Sequence, residues 1–211
     1  MFALVLAALL WDGPEARLSA VEVAGATLAE PFGVGHAADG SLWVVEMAGN
    51  RVRRVEKSGR VSTVVEGLKG PHSIAVGPGG LLYIADTNNH RVLKYDPASG
   101  TTTPFAGTGA KGFAGDGGPG IAATLNGPKH LAIDRDGGVL IADTENHAIR
   151  KFLPADGTIT RVAGTGVRGL GRAAGSPKGV ALDRPHGVSV AADGTLYIAD
   201  SDNGRILRVD R

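Results

Sequence analysis

Four segments of the chain superimpose from an initial proline: Pro31-Phe-Gly-Val-Gly-His36, Pro71-His-Ser-Ile-Ala-Val76, Pro128-Lys-His-Leu-Ala-Ile133 and Pro185-His-Gly-Val-Ser-Val190. Each leads to a glycine turn, at Asp39-Gly40, Gly79-Gly80, Asp136-Gly137 and Asp193-Gly194. A second apolar run follows and ends in an acid: Glu46, Asp86, Asp143 or Asp200. After a polar tight turn, a third run alternates apolar and basic residues, as in Arg91-Val-Leu-Lys-Tyr95. Repeats one to three pass another glycine, at Gly59, Gly100 and Gly157, into a fourth short run. Runs of about five residues separated by glycine turns read as strands in antiparallel hairpins. Four strands recurring at propeller-blade spacing predict an all-β fold, a β-propeller of four four-stranded blades starting near residues 31, 71, 128 and 185.

Repeat four stops after its third strand at Arg211, while Leu18-Ser-Ala-Val-Glu-Val-Ala24 reads as a strand ahead of repeat one. Pairing of that N-terminal strand with the last blade would close the ring and remove its free edge. The alternative is a fragment of a six-bladed propeller. Residues 21–211 are read as the propeller. Residues 1–20 are read as a signal peptide or an extra apolar segment, because Phe2–Leu10 is apolar, too short to span a bilayer, and followed by small residues at Ser19 and Ala20.

Composition narrows the function classes. The 33 glycines in 211 residues show no every-third-residue period and oppose long helices. A 43% hydrophobic content supplies a core. The net charge of +1 gives no footprint for DNA, and 5% aromatic content leaves few stacking platforms for RNA. The basic residues of the third strands, among them Arg51, Arg91, Arg150 and Arg205, read as a solvated blade edge. Without cysteine, disulfides and thiol chemistry are excluded and any metal must take histidine and carboxylate ligands. The compartment stays open, since cysteine-free chains suit the cytoplasm and secretion alike.

The proline-led first strand, the Tyr-Ile-Ala-Asp second strand and the turn in Ile84-Ala-Asp-Thr-Asn-Asn-His-Arg-Val92 resemble NHL-repeat β-propellers, and Ile141-Ala-Asp-Thr-Glu-Asn-His147 repeats the likeness. The loop Phe105–Pro119 is similar to the glycine-rich inter-blade loop of bacterial members. The resemblance implies the fold. The family hosts scaffolds, RNA binders and some enzymes, so it leaves function to the site.

Strand direction places the strand-one starts, the turns after strand two and the long loops 107–126 and 164–184 on one rim. The expected function is a ligand- or protein-binding module, taking a protein or small molecule through His72, Lys129, His130, His186, Asn88, Asn146, Asn203 and Asp116. The competing reading is a metal-dependent lyase or hydrolase. Pro71-His72-Ser73 and Pro185-His186-Gly187 are similar to the metal-binding Pro-His segments of peptidylglycine amidating lyase, which implies a divalent metal, zinc or calcium, on His72, His186 and His130. His130 is one residue out of phase and needs a bulge to join them. An SMP-30-like lactonase would need a Glu/Asn/Asp metal constellation drawn from different blades in non-equivalent positions, at which only Glu46 and Asn50 hint. His90 and His147 recur inside the repeat and are read as structural, His36 as a core residue able to pair with Glu46. The four acids are read as acceptors for backbone N–H groups of the adjacent turn. Two G-x-G-x-x-G matches, at Gly107–Gly112 and Gly164–Gly169, lack the following helix that a dinucleotide site requires.

Overall fold

The computed structural model describes residues 27–210. Blade one consists of β1 (Pro31–His36), β2 (Leu42–Glu46), β3 (Arg51–Val55) and β4 (Val61–Val65). Blade two is β5 (Ser73–Val76), β6 (Leu82–Asp86), β7 (Arg91–Asp96) and β8 (Thr101–Ala106). Blade three is β9 (Pro128–Ile133), β10 (Val139–Asp143), β11 (Ala148–Leu153) and β12 (Thr158–Ala163). Blade four is β13 (Pro185–Val190), β14 (Leu196–Asp200) and β15 (Arg205–Val209). Each is an antiparallel meander of sequential neighbours, and among the described residues the only helical segments are short 3₁₀ turns. This is an all-β propeller arrangement of four small antiparallel sheets. No described helix is long and apolar enough to cross a membrane.

The hairpins form where the sequence carries turn chemistry. In blades one, three and four the aspartate of the first turn accepts the N–H two residues on, at Ser41, Gly138 and Thr195, each 2.9 Å away. Blade two uses Pro78-Gly79-Gly80 instead, with both glycines at positive φ. The second turn closes on a left-handed residue in every blade: Asn50, His90, His147 and Gly204, at φ of 52°, 50°, 51° and 63°.

The core lies between the blades, because each sheet is apolar on both faces. On the forward face of blade one, Trp43, Val45 and Val52 pack against Ile74, Leu82, Ile84 and Leu93 on the rear face of blade two. Tyr83, Ala85 and Val92 meet Leu131, Val139 and Ile141 at the next junction. Leu140, Ala142 and Ile149 meet Val188, Leu196 and Ile198 at the third. First strands line up as β1 on β5, β5 on β9 and β9 on β13, and no comparable packing joins β13 back to β1 among the described residues. The segment read as a closing strand and the apolar run of residues 1–20 lie outside the described residues.

His36 departs from its expected place. It is exposed, because the rear face of blade one carries no neighbour among the described residues. It pairs in register with Leu42, whereas Pro31 pairs with Glu46, so His36 and Glu46 sit at opposite ends of the hairpin.

Candidate functional site

Most polar repeat residues are consumed in joining the blades. Asp86, Asp143 and Asp200 are fully buried. Each accepts a backbone N–H from the loop leading into its own blade: Lys69 at 2.8 Å, Asn126 at 2.7 Å and Asp183 at 2.7 Å. The reading as backbone N–H acceptors holds for these three acids, with the bonded loop 17 residues back rather than in the adjacent turn, whereas Glu46 accepts from the Arg51 side chain and its Oε1 has no hydrogen-bond partner among the described residues. The second carboxylate oxygen takes the side-chain amide of Asn89, Asn146 or Asn203. Burial pushes the Asp143 carboxyl up to about 7, against the opposing pull of the Asn146 amide, the Asn126 N–H and the Arg150 guanidinium. Two residues of the expected rim are therefore engaged in the fold: Asn146 also donates to the Gly112 carbonyl at 2.6 Å, and Asn203 to that of Gly169 at 2.9 Å.

The left-handed turn residue fastens each blade to the next. Asn50 Oδ1 accepts from Gly70 N–H at 2.7 Å, His90 Nδ1 from Gly127 N–H at 3.1 Å, and His147 Nδ1 from Arg184 N–H at 3.1 Å. The structural role read for His90 and His147 is thereby given a partner, and Asn50 shares it. Thr87 and Thr144, both buried, donate to the carbonyls of Pro128 and Pro185, the first residues of the following blades, at 2.7 and 2.8 Å.

The third-strand arginines are not a uniformly solvated edge. Arg51, Arg91 and Arg205 pair with the buried acids Glu46, Asp86 and Asp200. Arg150 is fully buried, donates to the carbonyls of Thr124 and Ala114 at 2.9 and 3.0 Å, and contacts Asp116 at 3.0 Å. It thereby holds the glycine loop 107–126. Arg205 makes the equivalent bonds in blade four, to Ala181 and Gly171. The two arginines occupy non-equivalent positions: Ala148 stands in the slot of Arg205, and Leu207 in that of Arg150. Positions two apart share a strand face, so one guanidinium site is reached from either residue. No local pattern marks this exchange. Only alignment of the repeats with their loops exposes it.

Against this background one group of side chains remains. A register shift at the start of β1, β9 and β13 leaves Phe32, Lys129 and His186 without a partner on the second strand. His72 stands at the equivalent place, immediately ahead of β5. Such bulges re-aim a side chain out of the ladder. All four residues line a single cavity of about 350 Å³, together with Gly33, Val34, Ser73, Ile74 and His130. The His72 ring meets Phe32 edge-on at 4.7 Å. Its Nδ1 lies 2.8 Å from the Gly70 carbonyl, so it is the protonated nitrogen and leaves Nε2 as an acceptor. Lys129 Nζ is 3.5 Å from His186 Nε2 and 3.8 Å from a Glu145 oxygen. Burial lowers the basicity of His72, His130 and His186, and the Lys129 charge depresses His72 and His186 further.

His130 reaches the same cavity by another route. The bulge falls on Lys129 rather than on His130, whose Nδ1 faces the Val188 N–H at 3.5 Å. That is the place of Ser73, whose Oγ accepts from Leu131 N–H at 3.2 Å. His130 thus spends one ring nitrogen on the junction with blade four. No three histidine, aspartate or glutamate side chains gather as a metal-binding group among the described residues. The donor set does not fit zinc held by three imidazoles, and calcium would require six or more oxygens. Of the remaining rim residues, Asn88 is exposed beside Gly70, and Asp116 is tied to Arg150. Glu46 and Asn50 are occupied by Arg51 and Gly70.

A profile described as the teneurin NHL domain matches residues 20–173, and an NHL-repeat profile matches residues 182–208. The chain belongs to the teneurin NHL domain family. Among curated relatives, Teneurin-3 of Danio rerio is 32% identical over 157 residues, covering 67% of this chain and 6% of that protein. NHL repeat-containing protein 2 of Bos taurus is 33% identical over 153 residues, covering 59% of this chain and 21% of that protein. This NHL chain therefore spans a small part of these relatives. A solved structure described as an auxiliary nutrient binding protein from Bacteroides thetaiotaomicron is similar in fold, with a TM-score of 0.72 at 23% identity. The match covers 84% of this chain and 47% of that one.

Proposed function

We propose that the chain is a ligand-binding NHL module whose working surface is the cavity at the strand-one rim. One observation carries the reading. Phe32, His72, Lys129 and His186, one from the start of each blade, line one cavity, while the buried acids, amides, threonines and Arg51, Arg91, Arg150 and Arg205 are engaged in bonds within the blades and to the loops that join them. Polar side chains from one recurring position that converge on one concave site are what binding on a rigid scaffold requires. The chemistry selects a small polar ligand. His72 Nε2 accepts a donor, the Lys129 ammonium attracts an anionic or carbonyl oxygen, and the exposed Phe32 ring offers a flat apolar wall. The similar fold of a nutrient binding protein supports the class and nothing finer.

The test is NMR observation of the histidine ring C–H resonances during titration with small carboxylates and, separately, neutral monosaccharides. Saturable shifts at His72 and His186, lost in His72→Ala and Lys129→Ala but kept in His90→Ala, are the expected result. Absence of saturable shifts with both probe classes, or binding unaffected by the cavity substitutions, would refute the proposal.

A further inference from the structure

The cavity draws two kinds of chemistry from its two sides. Blades three and four supply Lys129, His130 and His186, and blades one and two supply Phe32, Ile74 and His72. Every titratable side chain lining it among the described residues is a base. Lys129 carries the permanent charge, on a side chain only 19% exposed. The nearest described carboxylate oxygen, Oε1 of Glu145, stands 3.8 Å from Nζ, beyond hydrogen-bond distance. That oxygen already accepts Arg184 Nε at 3.2 Å and Nη2 at 2.8 Å, and Arg184 reaches Asp202 at 3.4 Å. The ammonium is left with an imidazole nitrogen, His186 Nε2 at 3.5 Å, as its nearest described acceptor. A charge held largely out of water without a hydrogen-bonded counter-ion is unfavourable, and a ligand carboxylate would supply one.

The opposite side is apolar and firmly placed. A Cβ on Gly33 would stand 2.9 Å from the His72 carbonyl oxygen, so β1 lies directly on the start of blade two. The Phe32 ring meets the His72 ring at 4.7 Å, and Ile74, 7% exposed, lines the same cavity. A volume of about 350 Å³ falls at the small end of ligand pockets. Resting on the reading of this cavity as the binding site, we infer that its ligand is a small carboxylate with an apolar body, the carboxylate on Lys129 Nζ and the hydrocarbon against Phe32 and Ile74. A neutral sugar would leave the ammonium without its counter-ion and set hydroxyls against an apolar wall. Inorganic phosphate would satisfy the ammonium and leave that wall unused.

NMR titration of the full 211-residue chain, followed at the histidine ring C–H resonances, tests the inference with benzoate, benzamide, acetate and inorganic phosphate. Benzamide keeps the ring and nearly the shape of benzoate and removes its charge. The expected result is saturable benzoate binding at least about tenfold tighter than benzamide, the difference made by a hydrogen bond between charged groups. Acetate and phosphate should bind more weakly than benzoate, and Phe32→Ala should narrow the gap between benzoate and acetate. Lys129→Met should abolish the preference for benzoate over benzamide with an unchanged far-ultraviolet spectrum, and Lys129→Arg should retain it. Benzamide or phosphate binding as tightly as benzoate, with binding still lost in His72→Ala, would overturn the inference and leave the cavity as a binding site. A benzoate preference that survives Lys129→Met would also overturn it. Absence of saturable shifts with these probes and with neutral monosaccharides would remove the inference together with the reading on which it rests.

Discussion

Replacing Arg150 by leucine copies the residue that blade four carries at the same position, and it should loosen the glycine loop ahead of blade three. The guanidinium holds two loop carbonyls and Asp116, and stands 3.8 Å from the buried Asp143. Breaking a buried charged partnership costs roughly 3–5 kcal/mol. Ala114 and Asp116 are exposed and recover water once the arginine is gone, which favours the low end, about 3 kcal/mol. For a chain of this length that corresponds to a fall in Tm of roughly 6–12 °C. Urea unfolding followed by circular dichroism measures it, and hydrogen exchange should show residues 107–126 opening more readily than blade one. The decisive variant is the double exchange Ala148→Arg with Arg150→Leu, which transplants the blade-four arrangement. If one guanidinium site can be served from either position, the double variant should recover at least half of the lost stability. A single substitution costing under about 1 kcal/mol, or a double variant no better than the single, would refute the reasoning.

Thr144→Val keeps the shape of the side chain but removes the donor to the Pro185 carbonyl, and should cost about 1–3 kcal/mol in denaturant unfolding. Thr87→Val should cost a similar amount, because its bond to Pro128 is equivalent. The pH dependence follows from Asp143, whose carboxyl is raised from 3.8 to about 7 by burial. Between those values the folded chain holds a proton that the unfolded chain has released, so this group's stabilisation is complete below about pH 4 and lost as pH rises through 7. The stability difference between the parent and Asp143→Asn should therefore shift against the parent over that window, by up to about 4 kcal/mol. A flat or rising difference would refute the assignment.

The propeller arrangement and the blade boundaries were legible because their signals are local. Alternation of side chains sets each strand, and Asp39-Gly40, Asp136-Gly137 and Asp193-Gly194 set the first turns within two or three residues. His72, Lys129, His130 and His186 were also legible as rim residues, since all lie at the start of a first strand and that place recurs. What each does was not. His130 turned on where the bulge falls, and a bulge is decided by how a strand meets its partner. Asn146 and Asn203 read as ligand donors in sequence, and became loop anchors through carbonyls 34 residues away. Arg150 read as a solvated charge because nothing within its own strand distinguishes it from Lys151.

The sequence alone determined the strands, their meander order and the identity of the polar repeat residues, since these depend on backbone preferences over a few neighbouring positions. Only the tertiary structure decided which polar residues the blade junctions consume and that Phe32, His72, Lys129 and His186 share a cavity. Those outcomes depend on contacts between separate blades, where burial leaves a polar group no partner but the one the neighbouring blade supplies.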